Sequence, residues 1–324
     1  MGKYTGRDIK IGISKESTRG VATPASYWIP RRDFDVQDKA SIIIDDQSYG
    51  VIEDSVDARV VNKWSEGKIS GLVRDKAIGL FLLNALGTST PTTSSPESGV
   101  ITHTFTVAQS HQHQSLTINV DDTIEGDEQY ALAMLKTLEI NATLNEFVIF
   151  NADFMAKQAT PGTVTAAYVA ENNFTADGVS LKIAATPGTL TAATATKVKS
   201  VSVKIDKALE KADILGTVTP DDFINKNISI EIDIERNYED TTFKTLYMTA
   251  SPQAMRVDIV SSAIIGLVSN PRLTFDFNQV NFTDWSVSKG LDDIVVEKLK
   301  CKAVFKIADA KMLEARLVNV ATSY

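Results

Sequence analysis

The chain has 324 residues, 43% of them hydrophobic, enough for one large or two ordinary domains with real cores and too apolar for wholesale disorder. Its 41 acidic residues against 33 basic ones give a net charge of −8, which excludes a protein that grips nucleic acid through its phosphates. A single cysteine, Cys301, excludes an internal disulfide framework and fits assembly in a reducing cytoplasm.

The opening "MGKYTGRDIKIGIS" lacks the apolar core of a signal peptide, and Gly6 breaks the myristoylation pattern. Residues 1–35 read as an extended N-terminal arm with one short strand, "DIKIGI". A first unit over 36–158 follows. Its strands "ASIIIDD" (40–46) and "GKISGLV" (67–73) precede a helix over 74–87, where Ala77, Leu80, Phe81 and Leu83 keep helical spacing and Gly87 marks the stop. That helix holds the longest apolar run, "AIGLFLLNAL", which is too short to span a bilayer and predicts no membrane insertion. After a loop by composition at 88–98, "ITHTFTV" and "SLTINV" read as a hairpin joined by the polar stretch "AQSHQHQ". The unit closes on strands within 138–154.

Residues 159–197 read as a linker with a hairpin in it, carrying the echo "TPGTVTAA" and "TPGTLTAA" around the strand "VSLKIAA". A second unit over 198–324 then repeats the order of the first. "VSVKID" (201–206) and "ISIEIDI" (228–234) precede a helix over 239–250, then the strands "AMRVDIV" and "RLTFDF", then strands within 295–320. The predicted fold class is α+β, mainly β: two similar antiparallel sandwich- or barrel-forming units, each with one packed helix. In "ISIEIDIE" the isoleucines face one way, and Glu231, Asp233 and Glu235 the other.

All three histidines, His103, His111 and His113, lie within residues 103–113, and alternation lets His111 and His113 reach one ion. With Asp121 or Asp122 they are the candidate ligands of a metal-dependent hydrolase. The bland alternative makes His111 and His113 solvated turn residues. It is preferred, because no H-E-x-x-H, C-x-x-C or nucleophile motif supports the other, so neither metal nor cofactor is expected. Trp28, Trp64 and Trp285 raise a second alternative, a carbohydrate-binding sandwich, but their wide separation suits core or interface anchors better.

Four stretches together resemble the tail tube proteins (major tail proteins) of long-tailed, non-contractile bacteriophages. They are "ISKESTRGVATPASYWIP", "KWSEGKISGLVRDKAIGLFLLNALG", "THTFTVAQSHQHQSLTINVDD" and "ARLVNVATSY", in that order. The resemblance implies a duplicated tail-tube fold and a structural virion protein, not an enzyme. It implies rings that stack into a hollow tube conducting DNA into the host, with sheets of neighbouring units joined around the lumen. It also implies tape-measure and tail terminator or tip proteins as partners, location in the virion tail, and synthesis and assembly in the host cytoplasm. On this reading the arm and the linker loops make the ring-to-ring contacts. Two units per chain imply a ring of three chains with pseudo-sixfold symmetry; the alternative is six chains. Glu231, Asp233 and Glu235 are then candidate lumen-facing residues of an acidic channel that repels a passing duplex, although alternation alone does not separate lumen from outer wall.

Overall fold

A computed structural model describes residues 5–54, 57–93, 97–124 and 126–324. The fold is mainly β and antiparallel, with two α-helices among the described residues. The first half runs β1 (Lys10–Lys15), β2 (Tyr27–Ile29), β3 (Arg31–Phe34), β4 (Gln37–Ile44), β5 (Ala58–Leu72), α1 (Ile78–Leu86), β6 (Gly87–Thr93), β7 (Ile101–Val107), β8 (Leu116–Asp121), β9 (Glu128–Thr143), β10 (Ile149–Ala156) and β11 (Thr160–Pro161). The second runs β12 (Val179–Ala184), β13 (Ala195–Thr196), β14 (Ser200–Asp206), β15 (Leu209–Ala212), β16 (Asp222–Asn225), β17 (Ser229–Asn237), α2 (Thr242–Met248), β18 (Gln253–Val260), β19 (Arg272–Ser288), β20 (Val296–Ala303) and β21 (Leu313–Asn319).

One sheet carries the architecture. β3 and β4 together line the edge of β5, and the order continues β5–β10–β9–β14–β17–β20–β19, each pair antiparallel. The first four positions and the last four have the same internal order: a hairpin, then the later strand of a second hairpin, then its earlier strand. They meet where β9 pairs β14, from Thr143 opposite Ser200 to Thr137 opposite Asp206.

The irregularities recur as well as the order. The β9–β10 ladder slips between Asp153 and Phe154, and the β19–β20 ladder slips opposite the corresponding step, Lys300 to Cys301. Nearer its start β9 slips against β8 between Ala133 and Tyr130, as β19 does against β18 between Val280 and Phe277. A bulge bends and twists its strand. At these points the long strands β9 and β19 pass from the shared sheet into a second layer. That layer is β2–β1–β8–β9–β11 in one half and β13–β12–β18–β19–β21 in the other. The hairpin β6–β7 has no counterpart in the second half; it extends that half's layer by pairing with β21.

Several expectations are corrected here. The stretch expected over 1–35 as an extended arm is, in its described part, built into the body: β1 is paired on both edges, and Ile11 and Ile13 are fully buried. The hairpin within 159–197 exists as β12–β13, but β12 is also an inner strand paired with β18, so it is not a surface linker. The strands "ITHTFTV" and "SLTINV" do not pair with each other; β7 lies between β6 and β21, and β8 between β1 and β9. Part of the loop expected over 88–98 is strand β6, and residues 94–96 lie outside the described residues.

All nine residues of α1 are buried, so the carbonyls of its last turn need protein donors. Gly87, at φ 95°, closes the helix with its N–H to Leu83 O. Lys207 Nζ donates to Asn84 O at 2.6 Å, His113 meets Ala85 O through Nδ1 at 3.1 Å, and the Ala108 N–H donates to Leu86 O at 2.7 Å. Beside this cap lies a buried carboxylate, Glu16, which accepts from the Gly20 and Leu132 amides and from the Ser115 and Thr117 hydroxyls. Leu132 stands at φ 54°, which is costly for a branched residue and is held by that bond at the β9 bulge. Replacing Glu16 by Gln turns an NH2 group toward donors. It is expected to destabilise the chain by about 3 kcal/mol, read as a lowered urea midpoint; an unchanged midpoint would show that the Leu132 bulge holds without it.

Candidate functional site

β17 places Ile230, Ile232 and Ile234 in the core and leaves Glu231 and Asp233 exposed and Glu235 half-buried, as the alternation requires. Both helices pack on the apolar side, which leaves this face of the sheet free of helices. The register shows that the acids are not alone. Glu231 stands between Lys204 and Lys302, Asp233 between Ser202 and Lys300, and Glu235 between Ser200 and Lys298. Lys298 Nζ is 3.4 Å from Glu235 Oε2. β20 thus presents a period-two lysine stripe, visible in "VEKLKCKA" as Lys298, Lys300 and Lys302. Glu139, Asp153 and Asp284 add carboxylates to the same face and Lys68 adds a cation, so the surface is mixed and locally paired. Exposed cross-strand pairs of this kind are worth well under about 1 kcal/mol each; they set the surface potential more than the stability.

The histidines do not converge. His103 is buried on β7, its Nε2 2.9 Å from Ala321 O and its ring edge-on to Tyr324 at 4.6 Å. His113 is also buried, with Nδ1 and Nε2 each 3.1 Å from a carbonyl oxygen, Ala85 O and Ala108 O; it is no solvated turn residue. His111 is exposed and directs Nδ1 to Asn225 O at 2.7 Å. Asp121 takes Lys10 at 3.1 Å, and Asp122 accepts from the Ile124 amide. Among the described residues no group of three or more His, Cys, Asp or Glu is arranged to hold a metal ion. The tryptophans are equally scattered. Trp28 is in the β1–β2 core, Trp64 lies under Lys211 Nζ at 3.3 Å, and Trp285 donates through Nε1 to Glu297 at 3.0 Å.

Two strand edges are the remaining surface of note. The outer edge of β3–β4 and the β19 segment from Thr283 to Ser288 end the shared sheet, and neither has a further partner among the described residues. At its far end β4 runs toward the hairpin tip with Ile42, Ile43 and Ile44 each more than half exposed. A long open edge beside bare isoleucines is what a monomeric protein avoids.

A mainly antiparallel sheet with two open edges is met by a family match to phage tail tube proteins over residues 6–283. The chain belongs to the phage tail tube protein family. It is therefore a structural component of the virion tail. No curated protein matches this tail tube protein closely enough to count as a relative. No helix among its described residues is long and apolar enough to cross a membrane.

Burial lowers the pKa of both His103 and His113 from their ordinary value of 6.5, in His113 with help from Lys207. As pH falls below 6.5 the unfolded chain takes up protons that these two folded imidazoles refuse, so the tail tube protein loses stability on acidification through that window. Glu171, whose carboxyl is raised by burial, acts in the opposite direction at lower pH. The comparison that isolates the histidines is therefore the wild type against His103→Gln/His113→Gln. The slope of melting temperature between about pH 7 and 5 should be shallower in the double variant; equal slopes would remove the histidines from the account.

Proposed function

We propose that this protein forms rings that stack into a hollow tube through which DNA passes, and that each ring holds three chains. The observation that carries the reading is the recurrence of one strand order and one set of bulges on both sides of the β9–β14 junction. Each chain then supplies two similar units, the first including β1 to β4 and the second beginning at β12, and three chains close with pseudo-sixfold appearance. Covalent pairing supplies half of the neighbour contacts at high effective concentration.

Geometry supports the number. Eight strand positions per chain put about 24 around the ring, and at about 4.8 Å per strand the backbone diameter is roughly 37 Å untilted and about 48 Å at a tilt of 40°. Side chains subtract from this, yet room for a duplex remains. Eight strands alone would fill the space with their own side chains. The helix-free face, with Glu231, Asp233 and Glu235, is the one left to the lumen. Tape-measure and terminator proteins are partners on the same reading.

Electron cryo-microscopy of tubes assembled from the purified protein tests this. Threefold order with two non-identical barrel repeats per chain is expected; six chains per ring, with one half decorating the outside, would overturn the stoichiometry. The lumen assignment has its own test. Replacing Glu231, Asp233 and Glu235 by lysine leaves Lys298, Lys300 and Lys302 unopposed. Variant tubes should then retain duplex DNA in low salt and release it at higher salt, while wild-type tubes retain none. DNA bound only on the outer wall in images would move the stripe outside.

A further inference from the structure

The junction inside the chain, β9 with β14, has its counterpart in the two edges that the chain leaves open. The ladders fix which residues correspond: Thr137 with Asp284 and Asp153 with Lys300 across one bulge, then Lys68 with Asp233 through the next strand. The partners of Lys68 and Asp233 extend the correspondence to the edge strands, pairing Phe34 with Val201 and Gln37 with Lys204. β9 and β14, which meet within the chain, therefore correspond to β19 and β3–β4, the two edges left open.

Resting on the ring reading above, we propose that β19 of one copy pairs antiparallel with β3–β4 of the next, in the register of the internal β9–β14 ladder. Ile140 opposite Val203 becomes Val287 opposite Val36, Glu139 opposite Lys204 becomes Ser286 opposite Gln37, and Thr137 opposite Asp206 becomes Asp284 opposite Lys39. The chemistry fits this register. Val36 is in the core and Val287 half-buried on the same side of the sheet, and Asp284 and Lys39 bring opposite charges together on the open side. Neither Lys39 nor Asp284 has an ion-pair partner among the described residues of its own chain. A slip of one residue would bury the charges and expose the valines.

The far end of the β4–β5 hairpin supports the same occupant. Its counterpart, β15–β16, slips at the same place: Ser41 faces Asn62 before Ile42 faces Val60, and Asp206 faces Ser229 before Leu209 faces Asn225. That counterpart is folded down on the first unit, with Phe223 fully buried and Asp222 holding Arg19. Ile42, Ile43 and Ile44 have no such cover among the described residues. In the next copy's second unit, Met248 at the end of α2 and Phe305 just after β20 are exposed and apolar. We infer that the β4–β5 hairpin lies over these residues, as β15–β16 lies over the first unit.

Paired cysteines test the register, and Cys301 is buried, so it gives little background. In assembled tubes of Gln37→Cys/Ser286→Cys, mild oxidation should link chains nearly completely and yield closed species of three chains on a non-reducing denaturing gel. Gln37→Cys/Ser288→Cys, two residues out of register, should link at least about tenfold less. Tubes that form normally while the first pair links no better than the second would overturn the register and leave the ring reading intact. Absence of any ring or tube from the wild type would overturn the ring reading itself. Closure at six chains would keep the register and overturn the count of three. A charge exchange covers the case in which the cysteine variants fail to fold. Asp284→Lys should block assembly of a folded chain and Asp284→Lys/Lys39→Asp restore it; a double variant as deficient as the single one would count against the pair.

Discussion

A helix buried on every side must give its last carbonyls to protein donors, because no water reaches them, and this constraint organises the middle of the molecule. The end of α1 is met by the glycine that follows it, by an amide and a histidine from the β7–β8 connection, and by a lysine from the second half. The lysine matters most. Lys207 lies at the neck of the β15–β16 hairpin in the second half and reaches Asn84 in the first. Burial pushes its pKa well down, with Arg19 adding to the effect. The two halves are thereby fixed through a polar contact that has directional requirements, whereas apolar packing alone tolerates sliding.

The long strands β9 and β19 are the second organising element. Each serves two layers, and the bulges turn the strand from one layer to the other without breaking its hydrogen bonding to β10 or β20. The shared sheet consequently reaches both of its ends with edges that no strand covers among the described residues. A monomer would blunt them. Here the apolar residues at one end and the charges at both ends are disposed as though further strands were expected.

Much of this was legible in the sequence, for identifiable reasons. The isoleucine alternation of β17 reports a half-buried strand directly, and the apolar spacing of α1 with Gly87 behind it reports a helix and its stop. The order of strands around each helix suggested two units. What escaped was partnership. β7 and β8 are adjacent in sequence and look like a hairpin, yet β7 finds β21 more than two hundred residues away, because alternation specifies a face and says nothing of the neighbour. His113 looked solvated amid glutamines and serine; its burial is explained only by the carbonyl of α1 that it satisfies. The lysine stripe of β20 is visible in the sequence, but that it lies against the acids of β17 follows only from the ladder between the two strands.

The hairpin β6–β7 has a consequence for the order in which the molecule is completed. It emerges early, between α1 and β8, and its outer partner β21 is among the last segments to be made. The second layer of the later half therefore cannot be finished from the later half's own strands, and the early half must carry an unpaired edge through most of synthesis. Contacts this distant in sequence slow folding and lengthen the exposure of such an edge. The same threading interlocks the halves: a cut between them would give two fragments, each lacking a strand that only the other can supply.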